Sequence, residues 1–277
     1  MQGHALAPYR GVLRVRFRET LQYRMAALAG FGTQLFWGLI RLTILGAFYR
    51  SGPVDVTDFN FSQAVPYVWL SQALLALFPF RLDPDIAESI RTGQVAGELL
   101  RPIDLYYFWY WRMVAWRLAM VIPRFLLIVI VAVVVLPMVG IHDWTLGPPV
   151  SVTAALFFPL SVTLALLLGV AITAILQSLL FWTVAAEGAR YILPMFVWFG
   201  AGMVVPLPLL PDRFTEVLTY LPFAGLIDFP LRIYSGHLVG TDIGVRFLLQ
   251  IIWLLLLVGV GRLLLSRGLR RLVVFGG

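Results

Sequence analysis

A chain of 277 residues that is 60% hydrophobic and only 13% charged is too apolar for a soluble globular domain, which is closer to half apolar and a quarter charged. Its 21 basic residues are all Arg and it has no Cys, which excludes a Walker-type phosphate lysine, a Schiff-base lysine, a thiol nucleophile and any disulfide. The net charge of +7 is spread along the flanks of apolar runs, so it reads as topology and contact with anionic membrane lipid, not as a nucleic-acid surface.

In chain order, residues 1–25 read as an interfacial helix. Leu13, Phe17 and Leu21 recur at near-helical spacing on one face, with Arg10, Arg14 and Arg18 on another. No apolar stretch with a small-residue cleavage site accompanies these Arg, so the first span is expected to direct targeting. A helix needs about 20 apolar residues to cross a bilayer. On that basis six spans are expected, at 27–49, 62–80, 118–139, 155–183, 190–207 and 245–264. In the first, Gln34 and Arg41 are seven apart and share a face. Arg41 lies about 9 Å from the nearer interface, a distance that a snorkelling side chain nearly covers. The alternative is an Arg that lines a cavity. Gln34 and Arg41, with Gln177 in the fourth span, are the residues expected along a substrate path.

Residues 81–104 are the most informative polar stretch. Asp83 is placed to cap a helix, Pro84 occupies its first position, Asp85 and Glu88 sit near its positive dipole end, and Gly93 closes it. With Ile86 and Ile90 as apolar anchors beside Asp85, Glu88, Arg91 and, farther on, Glu98, it suits docking to a soluble partner. The plain alternative is a solvated loop. Asp104 then caps a helix that opens on Tyr106, Tyr107, Phe108, Trp109, Tyr110 and Trp111, an aromatic cluster suited to the headgroup level. Farther on, Pro159 is expected to kink the fourth span. Residues 206–244 are apolar but broken by Pro206, Pro208, Pro211 and Pro222, as re-entrant or interfacial helices would be. Asp228 and Arg232, four apart, are expected to form an exposed pair of little energetic weight.

Orientation follows from Arg in the flanks. Five fall before the first span, five between the second and third, Arg190 after the fourth, and four after the last, which puts 15 on one side against 4 on the other. The rich side is expected to be cytoplasmic, with both termini there and 206–244 outside. The spans hold no Asp or Glu, and His4, His142 and His237 lie outside them. This disfavours a proton-coupled carrier and a zinc site. A sodium-coupled or facilitative carrier and a scaffold or sensor subunit remain open at this point.

Two stretches carry a resemblance. RVRFRETLQYRMAALAGFGTQLFWGLIR, at Arg14–Arg41, and IRTGQVAGELLRPIDLYYFW, at Ile90–Trp109, resemble the permease subunits of bacterial ABC-2 type ATP-binding-cassette exporters. The order of segments is similar along essentially the whole chain. The resemblance implies an all-α integral membrane fold in one permease domain, 1–277, with an N-terminal interfacial helix, a cytoplasmic coupling helix within Asp83–Leu100, six spans and extracytoplasmic re-entrant helices. It further implies a location in the bacterial cytoplasmic membrane and no cofactor in this chain. Two cytoplasmic ATPase subunits would hold ATP and Mg, and a second permease, identical or different, would complete the path. Drugs, antibiotics, lipids and glycans are all substrates within the family.

Overall fold

The computed structural model describes residues 7–22, 24–51, 58–79, 82–182 and 186–271, and every regular element among them is helical. Among the described residues, four helices are long and apolar enough to cross a membrane. They are α2 (Arg24–Ser51), the rod that starts as α6 (Leu105–Ile130), α8 (Val152–Leu179) and α12 (Thr241–Leu269). The remaining two expected spans fall short. α3 (Phe61–Ala73) has 13 residues and α9 (Ala186–Gly200) has 15, against the about 20 that a crossing needs.

The reasons are local. α3 runs out at Leu74 into a 3-10 turn, Leu75–Leu77, and Phe78 is extended before Pro79, because a residue preceding proline is forced out of the helical region. The apolar run that the hydropathy pattern carries on to residue 80 is therefore helix for only two thirds of its length. α9 stops where Gly202 adopts a φ of +73°, a left-handed conformation that glycine takes without strain. A Cβ there would press on the Tyr67 hydroxyl. The third expected span, by contrast, begins well before 118. Asp104 accepts from the Tyr107 N–H at 3.1 Å and caps α6. The rod then continues through a π turn, Val131–Val135, into α7 (Leu136–Met138). These 34 residues measure about 51 Å, so the first turns of α6 extend past a hydrocarbon core about 30 Å thick.

α1 (Ala7–Leu21) lies along α6. Leu13 and Phe17 are half-buried, whereas Arg10, Arg14 and Arg18 are exposed, so the two expected faces exist. α8 and α12 form the most extensive helix pair, tied by fully buried Gln250. Its amide accepts from Ser161 Oγ at 2.8 Å and donates to the Gly225 carbonyl at 2.7 Å. α4 (Pro84–Arg91) and α5 (Val95–Leu99) follow α3 at the Arg-rich end. α10 (Asp212–Tyr220) and α11 (Asp228–Tyr234) lie in the 206–244 segment. α11 is buried from Asp228 to Ile233 and packs on α8 and α3.

Candidate functional site: an ionic node at the base of a short helix

The expected chemistry at the start of α4 is present, but its partners lie within the chain. The Asp83 carboxylate accepts from the N–H groups of Asp85 at 3.1 Å and Ile86 at 3.4 Å, and so caps two of the helix's unpaired donors. Gly93, at φ +75°, closes the helix. The Asp83 side chain is 2% exposed. The Arg112 guanidinium, on α6, reaches it through Nε at 2.8 Å and Nη2 at 3.2 Å. Arg112 also pairs with Asp85. Arg16, on α1, stands 3.3 Å from Asp85 and 3.6 Å from Asp83. Gln177, on α8, donates from Nε2 to the Asp83 carbonyl at 2.9 Å. Three separate helices thus hold the first turn of α4. A two-pronged Arg–carboxylate contact fixes direction as well as distance, so α4 cannot tilt without dragging α1, α6 and α8.

Several expected roles change place. Ile86 is 2% exposed within the main core, and Ile90 packs against that core. They anchor α4 to this protein's own helices and are not an outward apolar surface, because the amphipathic face of α4 is already covered by its own chain. Glu98 accepts from Trp109 Nε1 at 2.8 Å and also faces inward. What α4 and α5 present outward is Asp85, Glu88 and Arg91, followed by Leu99 at 47% and Leu100 at 87% exposure. Gln177 is buried and belongs to the node. Arg41 does not snorkel. It turns inward and donates from Nη1 to Ser71 Oγ at 3.0 Å, with Met203 Sδ at 4.0 Å. Gln34 is 2% exposed, and neither its Oε1 nor its Nε2 has a partner among the described residues.

Arg16 and Arg112 were not singled out by the pattern. A signal existed for the first, since Arg16 follows Leu13 by three positions and lies on the inner face of α1. At the same end, Asp104 pairs with Arg262 of α12 at 2.8 Å, and its N–H donates to the Tyr9 hydroxyl at 3.2 Å.

A second polar cluster forms at the opposite end. Asp228 and Arg232 do pair, at 3.2 Å, but Asp228 is fully buried and Arg232 nearly so, which overturns the expected exposed pair. The Tyr67 hydroxyl of α3 lies 3.1 Å from Asp228 Oδ1 and 3.2 Å from the Gly202 carbonyl. Arg232 Nε donates to His237 Nδ1 at 3.1 Å. Burial, reinforced by the Arg232 charge, pushes the His237 imidazole down to about 4. It is therefore neutral near pH 7 and able to accept that bond. The cluster joins α3, the turn after α9 and α11.

No group of three or more metal-ligating side chains occurs among the described residues. A family model described as ABC-2 family transporter protein matches residues 35–276. No curated protein and no solved structure matches the chain.

Proposed function

The chain belongs to the ABC-2 family of transporter proteins, whose permeases work with ATPase partners, and on that premise we propose that it is the permease subunit of a bacterial exporter driven from its Arg-rich, cytoplasmic face. A second permease, identical or different, completes the path, and two ATPase subunits supply ATP and Mg chemistry. The cargo is amphipathic or hydrophobic, of the drug, antibiotic, lipid or glycan kind.

One observation carries the coupling mechanism. The short helix that follows α3 is bound at its first turn to α1, α6 and α8 through Asp83 and Asp85, while its outer side and the Leu99–Leu100 corner remain exposed. An ATPase that presses on Leu99 and Leu100 pushes a lever whose base is fixed to spanning helices, so closure moves them as rigid bodies. With no Lys anywhere in the sequence, the energy comes from the partner.

Co-expression with candidate ABC-type ATPase subunits from the same source tests this directly. The two should co-purify in detergent and hydrolyse ATP, whereas the isolated chain should hydrolyse none. Hydrolysis by the isolated chain, or failure of any ATPase to co-purify, contradicts it.

Orientation has its own test, made clean by the absence of native Cys. Phe214→Cys, on α10 and 60% exposed, should react with a membrane-impermeant maleimide in intact cells. Leu100→Cys should react only after lysis. The reverse pattern inverts the topology.

A further inference from the structure

α3 and α4 are separate helices, and Phe78 is extended between them, so the backbone alone transmits little from one to the other. Side chains bridge the gap. Arg117 of α6 is 1% exposed. It donates to the carbonyls of Leu77 and Phe78, the latter at 2.7 Å, and to Thr173 Oγ1 on α8. The Thr173 hydroxyl donates in turn to the Gly169 carbonyl at 2.9 Å. Arg117 thereby supplies donors to carbonyls that the end of α3 leaves without helical partners, in an interior where an unbonded carbonyl is costly. Gly169 lets the turn come this close, because a Cβ there would press on the Leu77 carbonyl.

The other side of the gap is held by the same two helices. Arg112 of α6 grips the Asp83 carboxylate, and Gln177 of α8 donates to the Asp83 carbonyl at 2.9 Å. Gly169, Thr173 and Gln177 follow one another at four-residue steps, so one face of α8 meets both sides. On α6, Arg112 and Arg117 stand about 8 Å apart along the helix axis. Leu77 and Asp83 are therefore fastened to one pair of spanning helices, with Arg117 serving the α3 side and Arg112 the α4 side. α3 in turn carries Ser71, the acceptor for Arg41 of α2, and Tyr67, the partner of Asp228.

We propose that Arg117 is the positioning residue that makes α3 follow α4: it turns the break between the two helices into a stiff joint, so that a push on α4 reaches Ser71 and Tyr67 through α3. A joint of this kind carries coupling because both helices are bound to the same packed pair. Its link to transport rests on the permease reading above. The joint itself is measured without any ATPase, so its failure is distinguishable from a failure to co-purify.

The test is amide hydrogen exchange on the full chain in phosphatidylcholine nanodiscs. Glu88→Gly loosens α4 at an exposed position and alters no side chain of α3. In the otherwise native chain it should raise exchange about threefold or more in residues 73–78 as well as in 84–91. With Arg117→Gln the increase should stay within 84–91. Gly169→Ala should do the same, because it displaces the Leu77 carbonyl and leaves the guanidinium in place; if Arg117→Gln fails to fold, this variant decides. Thr173→Ser keeps the hydroxyl acceptor and should behave as the native residue. In the complex, closing the ATPase pair on a non-hydrolysable ATP analogue should change exchange in Phe61–Ala73 of the native chain and not of Gly169→Ala. An increase that still reaches 73–78 in Gly169→Ala, or one that never leaves 84–91 in the native chain, overturns the joint. Failure of an ATPase to bind contradicts the permease reading alone.

Discussion

Arg112→Ala should lower the melting temperature of the purified chain by roughly 10 °C and should uncouple ATP hydrolysis from transport in the assembled complex. The change leaves Asp83 buried, with only Arg16 at 3.6 Å to face its charge. Removing one partner of a buried ion pair costs about 3–5 kcal/mol, and Arg16 places this site near the lower end. The paired change Arg112→Ala with Asp83→Asn should recover most of the loss. Asn still caps α4 through its side-chain oxygen, and no carboxylate is left unpaired. The double variant should melt near the wild type yet remain uncoupled, because the link from α4 to α6 is gone. A double variant that transports normally shows that the Arg112 link transmits nothing.

The largest purely structural loss is expected at the other end, from Asp228→Ala. It strands the nearly buried Arg232 guanidinium and removes one partner of the Tyr67 hydroxyl. A stability loss of about 3–5 kcal/mol follows from the same physics, read as a fall of 10 °C or more. Asp228→Asn should cost less than half as much, since an amide oxygen still accepts from Tyr67 or Arg232. Because this cluster shares no residue with the node, the ATPase should still co-purify with whatever Asp228→Ala protein reaches the membrane. A melting temperature within about 2 °C of wild type would mean that the cluster does not hold α3 to α11.

The helix at Pro84–Arg91 was readable because its signals are local. An Asp cap, a Pro at the first position and a closing Gly act within one or two turns of the chain. The start of α6 was half-readable. Its Asp104 cap is a local signal, but Arg112 and Arg117 count among the Arg between the second and third expected spans, so the apolar run starts after them. Both are matched by tertiary partners that no hydropathy window contains, Asp83 for one and the carbonyls of Leu77 and Phe78 for the other. The outward face of α4 could be assigned from spacing only as far as sidedness. That Ile86 and Ile90 point into the protein depends on core residues brought there by the fold. Arg41 posed a choice between snorkelling and turning inward, and Ser71, thirty positions away, decides it. Likewise the burial of Asp228 comes from packing on α3 and α8, and i, i+4 spacing carries no information about that.

The most direct measurement is site-specific photo-crosslinking from the α5 corner. A benzophenone maleimide on Leu100→Cys, in cells that express the cognate ATPase, reports what lies against a residue 87% exposed at the tip of the lever. The same probe on Met138→Cys, 81% exposed at the far end of the α6–α7 rod, is the control. Transmission through α4 and α5 predicts a covalent adduct between this chain and the ATPase from Leu100→Cys, strengthened when ATP closes the ATPase pair, and none from Met138→Cys. An adduct from Met138→Cys, or no adduct from Leu100→Cys in a complex that still hydrolyses ATP, contradicts it.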